Sequence, residues 1–164
     1  MGRRTEQAIN TQIAREFESE YLYLQFAAWL APRKLPGFTH WMQVQAREER
    51  GHAMKFFQHL VERGFEIRLE ALAAPQAPFG SAQELAQAVL DHEKEVTRLI
   101  DDLMEVAVQD QDQAAVALLD WFVNEQKEEL ESSGKLVDDT RAAGDDPSAL
   151  ARLDAQLGAR GGEI

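Results

Sequence analysis

Four stretches of this chain repeat apolar residues at every third or fourth position, and each interrupts its stripe with carboxylate, amide or imidazole near the middle. The first stripe reads Ile9, Ile13, Glu16, Glu20, Tyr23, Ala27, Leu30, and the second Trp41, Gln45, Glu49, His52, Phe56, Leu60. The third is Leu85, Val89, Glu93, Val96, Ile100, Leu103, and the fourth Ala115, Phe122, Gln126, Glu129, Ser133, Leu136. Such spacing puts each set on one face of a helix. Four faces of this kind bury one another as a bundle, and the polar middles then meet inside it. An ionised carboxylate in a dry core costs several kcal/mol unless something neutralises it. No arginine or lysine stands on any of the four stripes. A multivalent cation resolves the conflict, so the pattern points to a metal site within a helical bundle.

Breakers place the helices. Pro32 and Leu35-Pro36-Gly37 end the first, predicted over 5–31, and the second runs over 38–63 to a stop at Gly64. Helical rhythm fails from 65 to 80, where Pro75, Pro78 and Gly80 interrupt it. Ser81-Ala82-Gln83-Glu84 has the form of a capping box opening a third helix over 82–108. A short polar turn leads into a fourth over 113–143, and Asp146-Pro147 opens a fifth over 147–157. Residues 158–164 read as a flexible tail, and 1–164 as a single domain. Short first and third connections demand antiparallel neighbours, whereas the long middle one lets the second and third helices run parallel. Counted from the short turns, Glu16, Glu49, His52, Glu93, Gln126 and Glu129 fall at matching depths.

Composition removes several function classes. With no cysteine, disulfides, thiolate zinc sites and cysteine-bound iron–sulfur centres are excluded. A formal charge of -12 argues against nucleic-acid partners, whose phosphates need a basic face. It fits solubility and attraction of cations equally. No apolar run approaches the ~20 residues of a membrane span. Met1-Gly2-Arg3-Arg4 has no apolar segment behind it, so the expected location is the cytoplasm.

Glu49-Arg50-Gly51-His52 is a Glu-x-x-His element, which aims a carboxylate and an imidazole from one helix at one metal. Alone it arises often by chance, and Glu16 alone reads as a flanking position. Glu93 in an otherwise aliphatic seam makes the combination specific for a di-metal centre. Glu48, Glu125 and Glu128, taken by themselves, read as a solvated helix face, and Tyr23 as a core tyrosine.

Together, Glu16 with Tyr23, Ala28-Trp29, Glu48-Glu49-x-x-His52, Glu93 and Asn124-Glu125-Gln126-x-x-Glu129 resemble the bacterial non-haem ferritins. The likeness extends over most of the chain. It implies an all-α ferritin-like four-helix bundle with a long crossover and a short fifth helix. It also implies a homo-oligomeric 24-subunit shell that oxidises Fe(II) to Fe(III) with dioxygen or peroxide and stores a ferric mineral. By the same resemblance, Glu16, Glu49 and His52 hold a first iron, while Glu49, Glu93 and Glu129 hold a second. Glu49 then bridges, with Gln126 alongside. Glu48, Glu125, Glu128 and Glu129 match the ligands of a third iron position, and Tyr23 matches a tyrosine able to give an electron.

Bacterioferritin is the nearest alternative, but it carries a second Glu-x-x-His where this chain has Gln126-Lys127-Glu128-Glu129, and Arg50 replaces its haem-binding methionine. No haem is therefore expected. Rubrerythrin-like peroxidases need cysteines, and the small DNA-protecting ferritins lack the fifth helix. A di-iron or di-manganese redox enzyme without mineral storage, and a purely structural bundle, stand further off. Met42 and Met54 are expected in the core, and Trp29, Trp41 and Trp121 as packing anchors. His40, His59 and His92 are expected at the surface or in subunit contacts. Asp110, Asp112 and Asp120 are candidates to line an iron entry pore.

Overall fold

The computed structural model describes residues 3–76 and 79–162, so Met1, Gly2, Pro78 and the last two residues of the expected tail lie outside it. Among the described residues five α-helices form: α1 (Arg3–Leu30), α2 (Pro36–Glu62), α3 (Ala82–Gln109), α4 (Gln113–Ala143) and α5 (Pro147–Gly158). The α1–α2 turn contains a feature the sequence reading missed, a 3₁₀ turn at Ala31–Arg33 closed by Lys34 at φ 59°. Cross-helix contacts give the directions. Tyr23 of α1 meets Glu93 of α3, while Gln45 and Phe56 of α2 meet Glu129 and Phe122 of α4 in descending order. Thus α2 opposes α4, which opposes α3, and α2 and α3 are parallel as the long connection requires.

Every residue of the four stripes is buried. They do not make one continuous core. Tyr23, Phe26, Phe38, Met42, Leu85 and Leu136 fill one end of the bundle. Ile9, Ile13, Phe56, Leu60, Ile100 and Phe122 fill the other. Between these apolar blocks lies the polar layer, walled from water by both.

The crossover is laced to α1. Asn10 donates to the Glu66 carbonyl and accepts from the Arg68 N–H at 2.7 Å, and the Ala73 N–H donates to Glu18. Phe79 then packs edge-on against Phe26 and Trp29. At the start of α3, Ser81 accepts from the Glu84 N–H as a cap should, but Glu84 reaches back to the Gly80 N–H rather than to Ser81. α5 lies across the start of α2, where Asp154 accepts from the Phe38 N–H at 2.9 Å. That approach needs Gly37, because a Cβ there would fall 1.7 Å from the Asp154 carbonyl oxygen.

Four expectations change. As far as Gly162 the expected tail is docked: Arg160 binds α2 through Gln45 and Glu48. Met54 is 46% exposed, on the side of α2 turned away from the bundle, whereas Met42 is in the core. His92 is half-buried rather than free at the surface; it packs against the Tyr23 ring and bonds Ser19, and desolvation holds its pKa down at about 4. Asp110 and Asp112 are occupied within the subunit. Asp110 binds Arg4 and the start of α1, and Asp112 caps α4 while pairing with Arg63 at 2.7 Å. Both are thus engaged within the subunit, although the buried Asp112 Oδ2 has no hydrogen-bond partner among the described residues, and only Asp120 of the three is exposed.

Candidate metal centre

Each main helix contributes to the polar layer because its stripe carries the polar residue one or two turns from large apolar anchors. α1 brings Glu16, α2 Glu49 and His52, α3 Glu93, and α4 Gln126 and Glu129, all buried. His52 Nδ1 lies 3.3 Å from Glu49 Oε2 and 3.8 Å from Glu16 Oε2. The donor atoms of these three residues all fall within 4.8 Å of one another, a spacing that one cation can bridge. Trp121 and Phe122 meet the imidazole edge-on with centroids at 5.7 Å, which fixes its plane. Trp121 is thus an anchor for His52, although it remains 39% exposed.

Glu16 is held on one side only. Its Oε1 accepts from Gln12 at 2.7 Å, and its buried Oε2 has no hydrogen-bond partner among the described residues. Glu20, one turn further along the same stripe, shows the ordinary solution: Arg50 pairs with it at 2.9 Å. Among the described residues no arginine or lysine pairs with Glu16, Glu49, Glu93 or Glu129.

The remaining carboxylates are turned onto neutral donors. The Tyr23 hydroxyl donates to Glu93 Oε1, and Gln126 Nε2 lies 3.3 Å from Glu93 Oε2. Gln45 donates to Glu129 Oε2 at 2.9 Å. Glu49, Glu93 and Glu129 therefore share the layer, but they are not drawn to common ligand distance. A second group at that distance is His52, Glu125 and Glu129, with His52 Nε2 3.9 Å from Glu125 Oε1. Glu125 is half-buried; Glu128 is exposed and stands apart; Glu48 is paired with Arg160. The three outer glutamates named from sequence thus meet three different surroundings.

Electrostatics follow from this packing. Burial, with the Glu49 charge adding, pushes Glu16 up to about 8, and burial with the Glu93 charge beside it pushes Glu129 to about 7. Glu49 is raised well above the usual carboxylate range by burial and by Glu93 and Glu129, and burial raises Glu93 too. Without metal the layer stores protons; a divalent cation can take their place.

Gln12, Gln45 and Arg160 are parts of this centre that sequence reading missed. Gln12 had a signal, standing four residues before Glu16 on the same helical face.

Comparison with known proteins agrees with the geometry. The family model described as a ferritin-like domain matches residues 6–143. A bacterial non-heme ferritin of Staphylococcus aureus is 34% identical over 94% of this chain and 93% of its own. One from Bacteroides fragilis is 32% identical over 98% and 99%. Among solved structures, a form of Archaeoglobus fulgidus ferritin engineered to be closed superposes with TM-score 0.97 at 38% identity, covering 99% of both chains. The open pore ferritin of the same archaeon superposes with TM-score 0.96, also at 38% identity, over 98% of this chain and 99% of its own.

Proposed function

The chain belongs to the ferritin family, and we propose that it is a ferroxidase of the iron-storage kind, a single-domain subunit that oxidises Fe²⁺ and releases Fe³⁺ for mineral growth inside a multi-subunit shell. The carrying observation is the partnerless buried Glu16 Oε2, set beside Glu49 and His52 with no cationic side chain to balance it.

Iron is substrate here rather than a resident cofactor. Oxygen donors with one imidazole suit Fe²⁺, and accumulated negative charge favours Fe³⁺ still more, which lowers the cost of oxidation. Glu16, Glu49 and His52 take the first iron. For the second, Glu93 and Glu129 exchange their bonds from Tyr23, Gln126 and Gln45 for metal, with Glu49 bridging. Two ferrous ions then give one electron each to dioxygen, which gains two protons and leaves as peroxide. Tyr23, kept neutral by burial and bonded to Glu93 until metal takes that carboxylate, stands where its hydroxyl could give one electron together with its proton to partly reduced dioxygen. Glu125 offers a position on the outer side of His52 for iron in transit, a role in which Glu48 and Glu128 take a smaller part. A site with one histidine binds weakly enough to let its product go.

The shell is proposed to contain 24 copies and to work in the cytoplasm; no helix among the described residues is long and apolar enough to cross a membrane. At 18.5 kDa per chain, the assembly would be about 440 kDa on sizing. The decisive variant is Glu49→Ala with His52→Ala. It should lose rapid Fe²⁺ oxidation, followed by ferric absorbance after anaerobic loading and oxygen exposure, while eluting at the wild-type size. Undiminished oxidation in that variant would refute the site.

A further inference from the structure

Beyond α5 the chain turns back along α2 and makes contacts that iron oxidation does not require. The Arg160 carbonyl accepts from His40 at 2.9 Å, and the guanidinium lies 4.6 Å over the Trp41 ring. At Gly162, φ is +135° and a Cβ would come 3.0 Å from Val44, so the backbone lies hard against the helix. Arg160 Nη2 donates to Gln45 Oε1 at 2.5 Å and to Glu48 Oε2 at 2.7 Å. Gln45 is fully buried, and its other end donates to Glu129.

This series has a fixed direction. A guanidinium only donates, so Gln45 must present its carbonyl to Arg160 and its NH₂ to Glu129. One oxygen of Glu129 is thereby bonded to an amide, although Glu129 also belongs to the group at ligand distance with His52 and Glu125. Arg160 further neutralises Glu48, whose charge acts on both Glu49 and Glu129. The arm thus brings a positive charge and a fixed donor to the side of the centre where a second cation would bind.

We infer that Arg160 is a positioning residue that competes with metal at the Glu129 side of the centre: the docked arm disfavours a cation on His52, Glu125 and Glu129, and a cation bound there weakens the arm. The inference rests on the metal-binding reading of the polar layer. Two effects of like sign support it. Both positive groups draw on the same acids, and a Gln45 amide released from Arg160 no longer has to face Glu129. A unit charge about 10 Å from a divalent ion, at an effective dielectric between those of protein surface and water, changes affinity by roughly tenfold. Linkage requires the arm to feel the same factor.

The test is calorimetric titration of the assembled protein with Zn²⁺, which binds such ligands without redox chemistry. In R160A the weaker class of Zn²⁺ sites should tighten roughly tenfold, while the class that includes Glu16, Glu49 and His52, reached only through the Glu48 charge, should tighten by clearly less. R160K keeps the charge and should stay near wild type; a shift equal to that of R160A would overturn the charge assignment. Independently of any variant, amide exchange in residues 159–162 of the wild type should quicken at saturating Zn²⁺. If neither the weaker class moves in R160A nor the arm exchanges faster, the arm has no such role. Loss of the tight class in the wild type would instead refute the metal centre itself, so the two failures are distinguishable.

Discussion

Glu16 and Glu20 stand four residues apart on one face of α1, yet they meet opposite fates. Glu20 finds Arg50 and stays a conventional ion pair; Glu16 finds another carboxylate and an imidazole, and retains a proton to about pH 8. Metal must displace that proton and those on the neighbouring carboxyls. Divalent-cation affinity should therefore climb as pH rises towards 8, and binding at pH 6.5 should release protons. Zn²⁺ calorimetry in buffers of differing ionisation enthalpy measures the release directly, and a heat independent of buffer would contradict it. Residues of this sort were legible in the sequence because a carboxylate among aliphatic neighbours stands out. Arg160 was not legible, since it follows the last helical period and nothing local indicates that it folds back. The division of Glu48, Glu125 and Glu128 was equally hidden, because their spacing on α2 and α4 does not say which carboxylate an arginine from elsewhere will claim.

At the scale of elements, apolar periodicity and Pro/Gly breakers located all five helices to within a few residues, and loop length alone gave the parallel α2–α3 pair. Side-chain uses at the helix ends were harder to read. Asp112 was a candidate to line an entry pore; it caps α4 and takes the Arg63 guanidinium in a partly buried pair. Asp112→Ala should cost roughly 1–3 kcal/mol, read as a lowered unfolding midpoint with no loss of initial metal binding. Two glycine substitutions should differ in sign. Gly37→Ala drives a methyl into the Asp154 carbonyl and must push α5 off α2, costing roughly 3 kcal/mol. Gly134→Ala adds a methyl where no atom lies within 4 Å, inside α4, and should stabilise by roughly 1 kcal/mol through helix propensity. Denaturant unfolding of the two variants distinguishes a packed helix crossing from an open helical face; equal and opposite outcomes to these would mean that α5 does not seat on Gly37.

For the whole molecule, the polar layer divides the bundle into two apolar blocks, so the protein places its least stable arrangement of charge at its centre. The consequence for pH is opposite to that of ordinary salt-bridged carboxylates. Glu16 and Glu129 have folded-state values of about 8 and about 7 against an ordinary carboxyl value of 4.5, so between those limits the native chain binds more protons than the unfolded one. Unfolding then releases protons, and stability falls with rising pH. The contribution of these groups is fully present below about pH 4.5 and is lost as pH passes through 7 to 8. Metal-free protein should accordingly show a Tm that declines from pH 5.5 to pH 8, other groups held constant by comparison with Glu16→Gln, whose decline should be shallower. A saturating divalent cation should reverse the slope, because it binds only the deprotonated native layer and stabilises in proportion to its occupancy. A metal-free Tm that rises over this interval as steeply in the wild type as in Glu16→Gln would mean that the central carboxylates are already charged and solvated, and that no cation is needed to hold the two apolar blocks together.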